Sequence, residues 1–124
     1  MKQLELPLDE LPDLTYMQVD GIKASGMKHD TDKPRTDLLD PLALEGIARV
    51  LSSGAKKYAA HNWRGGLHYS RLIGACLRHL FAIMRGEDTD PESGLPHVDH
   101  LGCSVMFLSN MLKTRPDLDD RWKK

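Results

Sequence analysis

Residues 70–86, SRLIGACLRHLFAIMRG, carry the reading that decides the fold class. Ile73, Cys76, Leu77, Leu80, Ile83 and Met84 recur at i, i+3, i+4 and i+7, the spacing that gathers side chains on one side of a 3.6-residue helix. Ser70 is a residue type that caps a helix start, and Gly86 one that ends it. The spacing therefore predicts an amphipathic helix with this apolar set as its stripe. A second face groups Ala75, Arg78, His79 and Ala82, small enough for close approach by either a ligand or another helix.

The same period recurs on both sides of this stretch. Upstream, Asp40-Pro41 joins a favoured N-cap to a residue whose fixed φ suits the first helical position. Leu44, Ile47, Val50, Leu51 and Tyr58 then follow at helical spacing, so a first helix is expected to run to about Tyr58. Downstream, Pro96 opens a third helix whose stripe is Val98, Leu101, Val105, Leu108 and Leu112, stopped by Pro116. The run AAHNWRGGLHY between the first two helices has paired glycines and no period, and reads as a loop. No segment alternates as a strand does, and no internal repeat is visible. The expected fold is all-α, a helical bundle of about three long helices plus an N-terminal arm and ordered loops. Three amphipathic helices leave wide apolar faces, so completion by homo-oligomerisation is expected.

The organisation read from composition is an acidic, proline-marked N-terminal arm over residues 1–19, a single helical domain over 20–115, and an exposed C-terminal tail over 116–124. A chain of 124 residues is long enough to bury a core without disulfides. Lys and Arg total 17 against 18 Asp and Glu, a formal charge of −1. That balance supplies no global field toward a nucleic-acid polymer or an anionic membrane. No apolar run approaches the roughly 20 residues of a membrane span, and the acidic N-terminus is unlike a signal peptide. Cys76 and Cys103 sit in apolar helical patterns, as buried thiols in a reducing compartment would. A soluble cytoplasmic protein is expected.

The chemistry concentrates in residues 79–100, which hold His79, His97 and His100 beside a run of acids. His97 and His100 at i, i+3 share one helix face, with β-carbons about 5 to 6 Å apart. Glu87, Asp90 and Glu92 offer the hard oxygens that Mg²⁺ and Mn²⁺ prefer. Neither cysteine has a close partner at zinc-finger spacing. Phosphate recognition is expected from Lys33 and Arg35 in GMKHDTDKPRTD, with Lys57, Arg64 and Arg78 as further cations. Asn62-Trp63-Arg64 reads in two ways: the indole stacks on a base whose edge Asn62 contacts, or it plugs the core. Tyr58 adjoins the same loop.

Several separate stretches then occur in one order: KPRTDLLDPLALEGIARVLSSGAKKY, HNWRGG, SRLIGACLRHLFAIMRGE and DPESGLPHVDHLGCSVMFL. Together, over roughly residues 26–112, they resemble the phage-associated dATP/dGTP diphosphohydrolase N-terminal domain family, related to the MazG-like nucleoside triphosphate pyrophosphatases. The resemblance implies an all-α fold. It also implies metal-dependent hydrolysis of dGTP or dATP to the monophosphate and pyrophosphate, in the host cytoplasm if phage-encoded. MazG-like enzymes carry an ExxE pair and a later ExxD pair, whereas here Glu87-x-x-Asp90 ends one helix and His97-x-x-His100 begins the next. Among the positions that match, we take Glu87, Asp90 and His79 as the catalytic set. The ligands expected for Mg²⁺ or Mn²⁺ are Glu87, Asp90, Glu92, His97 and His100. The nucleotide would meet Lys33, Arg35, Lys57, Tyr58, Asn62, Trp63, Arg64 and Arg78.

Two other classes are compatible with the same residues. One is a metal phosphohydrolase of His-Asp type built on His29-Asp30 with His79 and His97. The other is a nonenzymatic helical module that binds a nucleotide or a partner protein.

Overall fold

The structure, a computed structural model, describes residues 23–123. The expected arm over residues 1–19 lies outside the described residues. The chain divides into two compact units, one ending at Pro34 and one beginning at Arg35. In the first, a turn closes where the Lys33 N–H donates to the Asp30 carbonyl at 3.0 Å.

The second unit is all-helical. It holds α1 (Pro41–Lys57), α2 (Tyr69–Met84) and α3 (His97–Thr114), with 3-10 turns at Thr36–Leu38, Asn62–Gly65 and Pro116–Leu118. Among the described residues the only β pairing is one isolated bridge, Thr89 with Pro96. Helix α1 begins as its sequence requires: the Asp40 carboxylate accepts from the Ala43 N–H at 3.1 Å and Pro41 takes the first position. Helix α3 is the shared partner, packed most extensively on α2 and then on α1.

Two glycines set how closely α1 and α3 approach. A Cβ at Gly46 would overlap the Asp99 carboxylate, and one at Gly102 would lie 3.0 Å from Ile47 Cδ1. Gly46 is the only buried residue of α1. The core proper lies between α2 and α3, where Tyr69, Leu72 and Met111 are buried under Trp63, Leu67, Ile73, Phe107, Leu108 and Leu118.

Helix α2 is rotated relative to the expectation from its apolar stripe. Leu77, Leu80 and Met84 are exposed by 43, 43 and 76%. Leu72 and Ala82 are buried instead, and His79 is half-buried beside them. The small-residue face carrying Ala75, His79 and Ala82 is the one that meets α3, since only short side chains allow that approach. Helix α3 repeats the pattern: Val98, Val105 and Leu112 are exposed while His97, Cys103 and Met111 are buried. Burial pushes the Cys103 thiol up to about 11 and the Cys76 thiol upward too; both are free cysteines.

Two further expectations change. His68, not Ser70, is the N-cap of α2. Ser70 lies inside the helix, and its N–H and hydroxyl both donate to the Asp120 carboxylate, the N–H at 2.8 Å. The C-terminal tail, expected to be exposed, is thereby fastened: Asp120 satisfies a first-turn donor of α2, and Leu118 packs on the core. Tyr69 completes the closure, its hydroxyl bonding to the Met111 and Arg115 carbonyls at 3.0 and 2.9 Å at the end of α3. Gly66, at φ +109°, passes beneath this corner. A Cβ there would lie 2.8 Å from Leu118 Cδ1 and 2.9 Å from Arg115 Nη1. No helix among the described residues is long and apolar enough to cross a membrane.

Candidate active site

A cleft of about 1430 Å³ runs over α3 between α1 and α2, and is lined by the Trp63 loop and the link from α2 to α3. That link is a closed structure. Gly86 and Gly94 adopt left-handed φ of +91° and +73°, the conformation glycine takes without a Cβ clash. The Asp90 N–H donates to Leu95 O at 2.9 Å, Gly94 N–H to Asp90 O at 2.8 Å, and His97 N–H to Asp88 O at 2.8 Å. The acidic run is thus folded back onto the start of α3.

This fold-back assembles the histidines. His97, 5% exposed, lies with its Nε2 2.7 Å from Glu87 Oε1 and its Nδ1 2.9 Å from His79 Nδ1. A carboxylate oxygen accepts, so His97 Nε2 carries hydrogen; with that tautomer assigned, His97 Nδ1 accepts and His79 Nδ1 donates. The His79 ring also stacks on His100, with centroids 4.8 Å apart and planes 10° from parallel. Burial, reinforced by the charges of His100 and His97, lowers the His79 pKa from its ordinary 6.5. A neutral His79 is what a stack of imidazoles requires.

Asp90 is held by its own turn. Its carboxylate accepts from the Glu92 N–H at 3.1 Å and the Ser93 hydroxyl at 3.2 Å, and lies 3.4 Å from His100 Nε2. Burial acts to raise its pKa, but those hydrogen bonds, with His100 and His97 nearby, outweigh it and hold the carboxyl below its usual value. Ser93 Oγ is also 2.7 Å from His100 Nε2, bridging acid and imidazole.

The opposite walls are cationic and aromatic. Lys57, at the end of α1, reaches Glu92 at 3.7 Å and lies 5.1 Å above the exposed Tyr58 ring. Trp63 is covered on two sides: it stacks on Phe107 at 4.6 Å, and the Arg64 guanidinium lies 4.4 Å from its ring centre. The core-plug reading of Trp63 is therefore the one realised, leaving Tyr58 as the exposed aromatic ring of the cleft. Asn62 and Arg78 line the same space, with Arg64 held by His61 Nδ1 at 3.0 Å.

The cleft thus gathers every expected site residue of the second unit except Arg35. Lys33 belongs to the first unit, with His29 and Asp30 of the His-Asp alternative. Arg35 forms a two-pronged pair with Asp37 at 2.7 and 2.8 Å. His97 and His100, expected as metal ligands, are engaged in hydrogen bonds with their neighbours. Among the described residues no three His, Cys, Asp or Glu side chains converge as a metal-binding group.

Residues 23–121, which span the whole cleft, match the family model described as dATP/dGTP diphosphohydrolase, N-terminal. The chain belongs to this family. A relative called dATP/dGTP diphosphohydrolase, from Salmonella phage PMBT28, is 40% identical over 97 residues, covering 78% of this chain. The chain spans about a third of that relative, 33% of its length. No solved structure matches the chain.

Within this family fold, the cleft also uses residues that sequence reasoning passed over. Ser93 is one; its signal was the Asp90-x-x-Ser93 spacing, which lets a carboxylate close a turn through a hydroxyl. Arg71 and Arg85 are others, standing seven residues on either side of Arg78. Gly46 and Gly102 gave no local signal, because their role depends on which helix lies opposite.

Proposed function

We propose that this chain takes part in hydrolysis of a deoxypurine nucleoside triphosphate, dGTP or dATP, to the monophosphate and pyrophosphate. The observation that carries the reading is the Glu87–His97–His79 hydrogen-bonded chain set in one cleft with Lys57, Arg64 and Arg78. The printed name of the phage relative supports the substrate class.

The chemistry follows from the tautomers. With its Nδ1 hydrogen given to His97, His79 keeps a lone pair at Nε2 and accepts a proton from the attacking water. The positive charge that develops is stabilised through His97 by Glu87, which orients the pair. Asp90, fixed by Glu92 and Ser93, holds His100 against His79 and so maintains the stack. The cations of the cleft neutralise charge on the phosphates, and Tyr58 offers a face to the base.

A divalent ion is part of the proposal. Mg²⁺ is commonly held by one or two carboxylates plus substrate phosphates rather than by a cage of protein ligands. Glu87 and Asp90 are carboxylates of that kind, so they fit an ion that enters with the nucleotide. Bound there, Mg²⁺ or Mn²⁺ would supply charge neutralisation at the phosphates.

The chain is also proposed to act as a homo-oligomer through the outward stripes of α2 and α3, in the cytoplasm. The test of function is incubation with each triphosphate and Mg²⁺, Mn²⁺ or chelator, followed by mass identification of products. Monophosphate with pyrophosphate is expected. Inorganic triphosphate or single phosphate as product would move the assignment to the His-Asp class. Tight binding without turnover would move it to a binding module.

A further inference from the structure

Three arginines elsewhere in the chain are satisfied by an acid two residues away: Arg35 by Asp37, Arg115 by Asp117, Arg121 by Asp119. The three arginines of the α2 region differ. Arg71, Arg78 and Arg85 succeed one another at intervals of seven on one strip, their Cα atoms about 10 Å apart at the helical rise. Among the described residues none of them has a carboxylate partner. All three face the cleft.

Arg71 and Arg78 are further distinguished by a smaller pocket of about 340 Å³ that they line with Leu67 and Leu72. Gly74 makes room for it. A Cβ at Gly74 would lie 3.1 Å from Arg78 Nη1, so the Arg78 side chain folds back along the helix, in the direction of Arg71. Two guanidiniums on an apolar pocket, without acids to neutralise them, form a site for an anion carrying more than one phosphoryl group.

We infer that Arg71 and Arg78 clamp the terminal diphosphate of the substrate, so that the pyrophosphate leaving group is held at the start of α2 while His79 faces the α-phosphorus. The inference rests on the proposed reaction and deepens it. Water oxygen bonds to the α-phosphorus, its proton goes to His79, and the bond from the α-phosphorus to the α,β-bridging oxygen breaks. That oxygen leaves with the electron pair as part of pyrophosphate, and the clamp neutralises the charge gained there.

The test is calorimetric titration of the full chain with inorganic pyrophosphate, with orthophosphate and sulfate as comparison anions. Arg71→Gln and Arg78→Gln should each weaken pyrophosphate binding about ten- to hundredfold, the loss of charge-assisted hydrogen bonds. Arg49→Gln, on the exposed side of α1, should leave it unchanged. Circular dichroism of each variant checks that the helices persist. An equal loss on Arg85→Gln would show a general positive field and overturn the clamp, as would orthophosphate binding as tightly as pyrophosphate or full affinity in Arg71→Gln. Because this binding needs no turnover, the two ideas separate. A chain that binds pyrophosphate through both arginines but hydrolyses no triphosphate refutes the proposed function and leaves the clamp standing. Hydrolysis that is inhibited by pyrophosphate equally in wild type and Arg71→Gln refutes only the clamp.

Discussion

His79 joins the two properties that a proton acceptor near neutral pH requires, a defined tautomer and a lowered pKa. The tautomer comes from His97, which is itself set by Glu87. The lowered pKa comes from burial and the neighbouring imidazoles. Because the folded-state pKa lies below the unfolded value of 6.5, the folded state prefers neutral His79. Its contribution to stability is full above pH 6.5 and is lost as pH falls through the lowered value. Activity that uses this base should follow the same direction, holding through pH 6.5 and declining below it. His79→Gln is expected to lower kcat about 10²- to 10⁴-fold and to remove that acid limb from the pH–rate profile. An unchanged acid limb in the variant would assign the titration to another group.

At the scale of elements, helix ends and helix crossings are completed by residues distant in sequence. Asp120 serves the first turn of α2, and the Ser70 hydroxyl, followed by the Ser70 N–H, holds its carboxyl below the usual range. Its stabilising contribution is therefore present above the ordinary carboxylate value of 3.8 and lost as pH falls through the lowered folded value. Asp120→Asn should lower the melting temperature at neutral pH, with the difference from wild type closing under strong acid; a constant difference across pH would contradict the charge-based account. The α1–α3 crossing depends on Gly46 in the same remote way. Gly46→Ala must displace Asp99 or part the helices, at a cost of about 1–3 kcal/mol by chemical denaturation. A variant as stable as wild type would mean that Asp99 swings aside freely.

For the whole molecule, the outward stripes are the dominant feature. The exposed Leu77, Leu80 and Met84 of α2 are spaced three and four apart, and the exposed Val98, Val105 and Leu112 of α3 seven apart. That is the heptad spacing by which helices pack side chains into one another, and a second copy related by a two-fold axis would present the same spacing in return. A stable interface of this kind buries about 800 Å² on each partner. Sedimentation equilibrium should show a dimer of the wild-type chain, and a monomer that keeps its helical circular dichroism for Leu80→Glu with Val105→Glu. A monomeric wild type would leave the stripes for some other partner.

Much of this was legible in the chain itself. The periods of 3.6, the Asp40-Pro41 start and the Pro116 stop determined that there are three helices and nearly where they lie, because those signals are local backbone and capping preferences. The residues that gather in the cleft were legible too, since residues 57–100 supplied nearly all of the polar ones. Which face of α2 turns inward was not legible. An apolar stripe states only that a face avoids water, and here the small His79 face offers α3 a closer approach, leaving Leu77, Leu80 and Met84 outside. The pairing of Asp120 with Ser70, of Gly46 with Asp99, and of His79 with His97 required the helices to be brought together, because each joins partners that no local period connects.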